Sequence, residues 1–301
     1  MKRIHLLLFV LYFAMVCLSA QCAANAQALT AGTSTAKSQV PSITLPMREG
    51  STRLAVFGDA GRGSKEQYDL GAVMEEYRQA FKFEWVLLTG DNIYGKDAPG
   101  DMKNKFELPY KAMLDAGVKF YASLGNHDTA NQRLYAPFNM KGEEYYRIER
   151  DGVSFYALNS NYLDKKQLDW LVAELAKDPN AWRVAFFHHP PYSSGGRHGS
   201  DQDVRQILHP LFVKNGIDVV FTGHDHFYER VKPQDGITYF VAGAAGKIRK
   251  GDLKEGSGIT ASGFDSDLSF MLVEFTGDEM HFQVISKARN TVDSGVIKRR
   301  D

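Results

Sequence analysis

Short apolar runs that end in small polar clusters constrain the fold of this chain more than any other feature. The runs alternate with amphipathic stretches, which is typical of strands and helices that alternate around buried sheets. Five runs end in Gly with Asp, Asn or His, or in consecutive His residues, at 58–61, 90–94, 125–128, 188–190 and 223–226. Ligands of open α/β sheets bind outside the carboxyl ends of the strands. We therefore expect the five clusters to converge on one site.

The pattern predicts one domain built from two sheets with flanking helices. Predicted strands lie at 54–57, 85–89, 120–124, 153–158, 184–187 and 219–222, and a closing run of strands lies at 238–242, 270–275 and 281–285. Predicted helices lie at 64–81, 102–116, 165–177 and 203–215. The pairs Ser64/Gln67 and Asp164/Gln167 have the spacing of capping boxes at two of the helix starts.

The N-terminus has the three parts of a secretory signal peptide. Met1-Lys2-Arg3 precedes an apolar run to about residue 20, and small residues surround Asn25. The run is short for a membrane span, which needs roughly 20 residues. We predict a signal peptide at 1–26, a secreted or periplasmic protein and no stable membrane association after cleavage. An uncleaved anchor is one alternative, and lipidation at Cys22 is another, although Gln21 stands where that signal requires a small residue.

Residues 27–47 are rich in Ala, Ser, Thr and Gln, and we predict a disordered leader there, followed by the folded domain at 48–301. The chain has 36 basic and 36 acidic residues, so no net charge favours binding to nucleic acid. Its two cysteines, Cys17 and Cys22, lie within the predicted signal peptide. Any metal in the mature protein must therefore bind to His, Asp, Asn or Tyr.

Six of the nine histidines lie in or beside the polar clusters: His127, His188, His189, His198, His224 and His226. One such loop histidine is ordinarily a surface residue, but six together indicate a metal site. Imidazole, carboxylate and amide ligands suit Zn, Mn and Fe better than copper or iron–sulfur clusters. The candidate ligands are Asp59, Asp91, Asn126, His188, His224 and His226. Because these exceed the needs of one tetrahedral ion, we expect two ions with a bridging carboxylate, an arrangement typical of phosphoryl hydrolysis.

The ordered motifs Gly-Asp-x-Gly, Gly-Asp-Asn, Gly-Asn-His-Asp, a strand-ending His and Gly-His-x-His resemble the calcineurin-like metallophosphoesterase superfamily from about residue 54 to 226. Tyr94 completes a Gly-Asp-Asn-x-Tyr motif that is similar to the purple acid phosphatases, and the size resembles their small, tartrate-resistant type. The resemblance implies a four-layer α/β/β/α sandwich. It also implies two metal ions, Fe(III) together with Fe(II), Zn or Mn.

The resemblance assigns a role to each matching position. Asp59, Asp91, Tyr94 and His226 would bind the ferric ion, and Asp91 would bridge to a second ion held by Asn126, His188 and His224. His188 is chosen over His189 because His-x-Pro then matches the small acid phosphatases. His127 and His198 would stabilise the developing charge, and Asp128 would orient His127. Arg197 stands where small mammalian enzymes have an acidic residue, so the leaving-group acid stays open between His127 and His198.

We therefore expect a monomeric hydrolase of small phosphate monoesters, active below neutral pH, in which a metal-bound hydroxide attacks phosphorus. The nearest alternative is a Zn or Mn phosphodiesterase of the same fold in which Tyr94 is not a ligand. A metal- or phosphate-binding protein without turnover is an alternative of another class. A third alternative is an interaction protein that uses the Gly-rich stretch 242–263.

Overall fold

Two β-sheets packed face to face form the centre of the structure, a computed structural model that describes residues 41–177, 181–254 and 256–300. The first sheet contains, in spatial order, β13 (Thr291–Lys298), β12 (Glu279–Ser286), β11 (Ser269–Thr276), β1 (Thr52–Phe57), β2 (Trp85–Leu88) and β3 (Lys119–Ala122). The second contains β10 (Thr260–Phe264), β8 (Tyr228–Val231), β9 (Thr238–Ala242), β7 (Val219–Thr222), β6 (Trp182–Phe186), β5 (Val153–Ala157) and β4 (Tyr146–Arg150).

Each sheet has a parallel part. Strands β1, β2 and β3 are parallel neighbours in the first sheet, and β5, β6, β7 and β9 are parallel neighbours in the second. The other pairings are antiparallel. The carboxyl ends of the parallel strands in each sheet therefore lie at one edge, where the polar clusters follow them.

The helices are α1 (Lys65–Phe81), α2 (Pro99–Met102), α3 (Lys111–Asp115), α4 (Lys165–Leu175) and α5 (Gln202–Lys214), with a π-helical turn at Lys103–Glu107. The single helix predicted at 102–116 is thus wrong. Pro109 lies in the gap between the π-helical turn and α3, because proline has no N–H and disfavours helix in the residue before it.

Both predicted helix starts are capped, although each predicted capping box forms only in part. The N–H of Gln67 donates to Ser64 Oγ, and the N–H of Gln167 donates to Asp164 Oδ1. The two glutamine side chains turn toward the preceding loops. Gln67 Oε1 accepts from the N–H of Gly63 at 2.7 Å, so the glutamines hold the loops that lead into the helices.

Three apolar layers separate the sheets and helices. Along β1, Leu54 and Val56 face the core between the sheets, while Ala55 and Phe57 face the core beneath α1. Along β6, the alternate residues pack under α4 and α5 in the same way. Alternate residues of these strands thus face different apolar layers, and the result is a four-layer α/β/β/α sandwich. The predicted fold class is confirmed.

The packed chain begins earlier than the predicted boundary at residue 48. Leu45 is buried in the core, and the N–H groups of Thr44 and Met47 donate to Gln283 and Glu274 at 2.9 and 2.7 Å. Residues 41–47 are therefore anchored to the first sheet. The predicted signal peptide and the rest of the predicted leader lie outside the described residues and stay predictions. Within the described ranges, no helix has both the length and the apolar character that a membrane crossing requires.

Candidate metal centre

The five polar clusters converge where the carboxyl ends of the two parallel strand groups meet. Backbone hydrogen bonds join the loops: the N–H of Asp59 donates to the carbonyl of Gly90 at 3.0 Å, and the N–H of Gly223 donates to the carbonyl of His188 at 3.0 Å. The N–H of Gly58 donates to Ala242 of the other sheet at 2.8 Å. The loops of both sheets therefore form one site.

The backbone at this site is strained. Asp59, Asp91 and His224 have φ angles of 57°, 52° and 71°, in the left-handed region that Asp, Asn and His tolerate better than most residues. Such conformations cost about 1–3 kcal/mol each and concentrate at functional sites. Gly90 has a φ of 90°, and a Cβ there would lie 2.7 Å from His188 Nδ1, so glycine is required for the histidine to approach.

The first group of donor atoms is a triangle formed by Asp59, Tyr94 and His226. Tyr94 Oη lies 3.2 Å from Asp59 Oδ1 and 3.2 Å from His226 Nε2, and the last two atoms are 3.4 Å apart. Burial, followed by the charge of Asp59, raises the pKa of Tyr94 above its ordinary value. Without a cation the phenol therefore stays protonated and donates to Asp59. An Fe(III) ion would offset that effect and favour the phenolate.

The second group surrounds His188, which is buried. Its Nε2 lies 3.0 Å from Asn126 Oδ1, 3.1 Å from His224 Nδ1 and 3.4 Å from Asp91 Oδ1. Its Nδ1 lies 3.0 Å from the carbonyl oxygen of Thr89, so Nδ1 carries the proton. Burial lowers the pKa of His188 well below its ordinary value, which leaves a lone pair on Nε2.

The electron-pair donors around His188 Nε2 cannot all hydrogen-bond to one another. Only His224 Nδ1 can supply a proton there, whereas Asn126 Oδ1 and Asp91 Oδ1 are acceptors. A cation among them would satisfy every atom, and imidazole, amide and carboxylate groups are suitable ligands for a divalent ion. The donor set therefore fits a metal.

Asp91 lies between the two groups. Asp59, Asp91 and His188 offer ligand atoms that all lie within 4.8 Å of one another. Burial, followed by the charge of Asp91, raises the pKa of Asp59 well above its ordinary value. Two buried carboxylates so close together are stabilised by a cation. The arrangement fits two ions that share Asp91.

His127 and His198 flank the two groups on different sides, and both are exposed. The ring of His127 lies 4.9 Å from the ring of Tyr94, and its backbone N–H donates to Asp91 Oδ1 at 2.9 Å. The ring of His198 lies 4.2 Å from that of His224. Each exposed imidazole thus stands beside one group of donor atoms, where a bound substrate can reach it.

Asp128 accepts hydrogen bonds from two of the loops that form the site. Its carboxylate accepts from the backbone N–H groups of Gly125, Asn92 and Ile93 at 2.9–3.0 Å and from Asn92 Nδ2 at 2.9 Å. Over the described ranges, no hydrogen bond joins it to His127. Burial raises its pKa to about 7. Asp128 therefore ties the loop after β2 to the loop after β3, and its orientation of His127 stays a prediction.

His189 also lies near His224, with ring centroids 4.7 Å apart. Its Nδ1 lies 2.9 Å from Ser160 Oγ, whereas His188 directs Nε2 at the other donor atoms. The geometry therefore favours His188 as the ligand.

Asp225 was not among the predicted site residues. Its buried carboxylate accepts from Ser193 Oγ at 2.5 Å and from the N–H of Gly199 at 3.2 Å. It thereby holds the loop that carries His198. The sequence pattern that could have indicated Asp225 is its position between two predicted ligands in the motif Gly-His-Asp-His.

Comparisons with known proteins agree with this geometry. The chain matches the calcineurin-like phosphoesterase family over residues 52–228. Purple acid phosphatase 17 of Arabidopsis thaliana is 26% identical over 291 residues, which cover 79% of this chain and 86% of that protein. Tartrate-resistant acid phosphatase type 5 of Oryctolagus cuniculus is 26% identical over 249 residues, 67% of this chain and 76% of that protein.

Two solved structures share the fold. Purple acid phosphatase PPD1 from yellow lupin (Lupinus luteus) seeds superimposes with a TM-score of 0.70 at 16% identity, over 85% of this chain and 55% of that chain. GAP50, the anchor in the inner membrane complex of Plasmodium, superimposes with a TM-score of 0.69 at 18% identity, over 84% of this chain and 90% of that chain. From the family match, the chain belongs to the calcineurin-like phosphoesterases, a family of metal-dependent phosphoester hydrolases, and within it resembles the purple acid phosphatases.

Proposed function

We propose that this phosphoesterase is an exported, monomeric acid phosphatase that hydrolyses small phosphate monoesters with two metal ions. The observation that carries the proposal is the pair of donor groups, one around Tyr94 and one around His188, that share Asp91. The signal-peptide pattern supports export, and the acid phosphatase relatives support the reaction.

We assign Fe(III) to the group of Asp59, Tyr94 and His226 with Asp91, because phenolate and carboxylate oxygens favour a highly charged ion. The group of Asn126, His188 and His224 with Asp91 would hold Fe(II), Zn or Mn, since imidazole and a neutral amide suit divalent ions. When bound, the two ions polarise the phosphoryl oxygens and make hydroxide available near or below neutral pH.

The side chains of the protein supply orientation and protons. Asp91 fixes the spacing of the two groups while it accepts from the N–H of His127. His127 and His198 stand where their N–H groups can reach the non-bridging oxygens of a bound phosphate, and they favour the charge that develops on those oxygens. One of them would protonate the leaving alcohol oxygen.

A phosphodiesterase that uses Zn or Mn is the second candidate, and the hydrogen bond from Tyr94 Oη to Asp59 Oδ1 favours it. A phenol that keeps its proton donates to Asp59 and is not a metal ligand. The first candidate requires a ferric ion that overcomes this effect, so metal identity separates the two.

The first prediction is that purified protein loaded with iron and zinc binds about two metal ions per chain and hydrolyses p-nitrophenyl phosphate, with the higher rate below pH 7. Metal analysis and a pH–rate profile measure both properties. Bis(p-nitrophenyl) phosphate serves as the comparison substrate, and we expect it to react much more slowly. Faster hydrolysis of the diester would favour the phosphodiesterase, and full metal loading without turnover would favour a binding protein.

The second prediction concerns His127. Because its exposed ring contacts substrate and not metal in this assignment, His127→Ala is expected to keep both ions while kcat falls roughly 10²–10⁴-fold. Metal content and single-substrate kinetics are measured together. His281→Ala is the matched control. It removes a histidine of β12 that pairs with Glu279 and belongs to neither group of donor atoms. Loss of metal in His127→Ala would show that this residue is a ligand.

A further inference from the structure

Four cationic side chains lie around the metal centre: Arg62, Arg197, Lys247 and Arg249, here called the basic rim. The guanidinium of Arg62 lies 5.0 Å from the ring centroid of Tyr94. The backbone N–H of Arg249 donates to the carbonyl of His226 at 3.1 Å. Arg197 directly precedes His198 in the chain. The rim therefore follows the edge of the candidate site.

The segment 245–254 brings Lys247 and Arg249 to this edge. On one side, the N–H of Ala245 donates to the carbonyl of Gly58 at 3.3 Å. On the other side, the N–H of Gly196 donates to the carbonyl of Asp252 at 2.8 Å. The segment thus connects the loop that carries Arg62 with the loop that carries Arg197. Consistent with this, the charge of Arg62, ahead of those of Arg249 and Arg197, lowers the pKa of Lys247.

Among the described residues the basic rim has no close carboxylate partner, although the charge of Arg249 acts on the buried carboxylate of Asp225. Across the described residues, none of its four members forms an ion pair. Asp252, the acidic residue of segment 245–254, is not paired with them. One nitrogen of the Arg249 side chain, Nη1, is buried without a hydrogen-bond partner. A guanidinium donor without an acceptor is costly, so Arg249 is suited to an anion that enters the site, and the three exposed cations beside it add to the attraction.

The scissile phosphoryl group does not account for this anion. In the proposed function it lies on the two metal ions, which already supply positive charge, with His127 and His198 beside it. Arg62, Arg197 and Lys247 are exposed around that position. Additional cations at the edge are suited to additional negative charge on the part of the substrate that extends from the metals.

Resting on the proposed function, we propose that the basic rim binds a second phosphoryl group of the substrate. The preferred substrates then carry two phosphoryl groups close together, and one lies on the metals while the other contacts Lys247 and Arg249. A phosphoanhydride and a bisphosphorylated polyol both have this chemistry.

Binding of two phosphonates that are not hydrolysed tests the rim directly. Calorimetry on the metal-loaded protein compares methylenediphosphonate, with two anionic groups, with methylphosphonate, with one. We expect the diphosphonate to bind at least about tenfold more tightly, with a preference that weakens as salt rises. Lys247→Gln and Arg249→Gln are each expected to reduce the preference about tenfold. Lys250→Gln, which removes the next exposed lysine, is the matched control and should keep it.

Hydrolysis then separates the two substrate sources. The ratio of kcat/KM for pyrophosphate or myo-inositol 4,5-bisphosphate, whose phosphates are on neighbouring carbons, to that for p-nitrophenyl phosphate is measured in the same variants. We expect this ratio to fall about tenfold in Lys247→Gln for at least one of the two substrates. The substrate whose ratio falls shows whether the second phosphoryl group belongs to an anhydride or to a polyol. Because Lys247 is exposed, this variant should fold even if Arg249→Gln does not.

Equal affinity of the wild type for the two phosphonates would overturn the proposal. A preference that survives in both Lys247→Gln and Arg249→Gln would also overturn it, since chelation by the metals would then explain the preference. If the preference depends on the rim but no phosphate ester is hydrolysed, the rim is a phosphoryl-binding surface and the proposed phosphatase function fails instead.

Discussion

Asp91→Ala will abolish the hydrolysis of p-nitrophenyl phosphate and will lower the metal content of the purified protein. Asp91 lies between the two groups of donor atoms, within 4.8 Å of ligand atoms from Asp59 and His188. One substitution therefore removes a ligand from both ions, and loss of the metals removes the source of charge stabilisation and of hydroxide. Metal analysis and initial rates on the same preparation measure the two effects.

Two variants make this test specific. Asp69→Ala removes an exposed carboxylate of α1 that pairs with Lys65 at the surface, and it should retain metals and turnover. Asp91→Asn keeps an oxygen that can accept from the N–H of His127 but removes the charge, so it should also lose metal. Near-wild-type turnover with two ions per chain in Asp91→Ala would remove this residue from the site.

Tyr94→Phe is expected to eliminate the visible absorption band of the iron-loaded, oxidised protein. A phenolate bound to Fe(III) gives a ligand-to-metal charge-transfer band, and the substitution removes the phenolate oxygen but keeps the ring. The ring contact with His127 at 4.9 Å can persist, so folding should be preserved. Ferric iron should bind less tightly because one anionic ligand is lost. An absorption spectrum with metal analysis measures both effects.

Tyr162→Phe provides the matched control for the band. Tyr162 is 76% exposed, so loss of its hydroxyl should leave the colour unchanged. Some hydrolysis by Tyr94→Phe with Zn or Mn is compatible with the assignment, because Asp59, Asp91 and His226 remain. A colourless wild type after iron loading and oxidation would contradict the ferric assignment, as would an unchanged band in Tyr94→Phe. The phosphodiesterase candidate would then be preferred.

The convergence of the site could be predicted because it depends on a local pattern. Parallel strands place their carboxyl ends at one edge, so residues directly after them meet without any knowledge of the loops. The strands β1, β2 and β7 are buried at every or nearly every position and stand out as apolar runs. Their positions fixed those of Asp59, Asp91 and His224.

Three of the four edge strands could not be predicted in this way, whereas the fourth, β3, could. Strands β4, β10 and β13 lie at sheet edges, where one side has no neighbouring strand and many side chains contact water. Their sequences contain charged or small polar residues, such as Tyr-Arg-Ile-Glu-Arg in β4, and lack a continuous apolar run. Pairing with an inner strand determines these strands, and a local hydrophobic pattern does not report that pairing.

The basic rim was missed for a related reason. Lys247 and Arg249 lie in a segment without a strand or helix, and no motif in it indicates which of its side chains reach the metal centre. Its position depends on contacts with Gly58 and Gly196, which are distant in the chain. The role of Asp128 was also a matter of long-range contact, since its acceptors are used by the N–H groups of Asn92 and Ile93.

The hydrogen bond from the N–H of His224 to Asp59 Oδ2 joins residues that are 165 positions apart in the chain. Contacts of such separation form late in folding, because closing a long loop costs entropy before it is stabilised by packing. The order of assembly follows from this. The ligands of the two sheets meet only when β1 and β7 are both in place. We expect metal binding to be the last step in the maturation of the protein. The ions then bind to the folded chain and do not direct its folding.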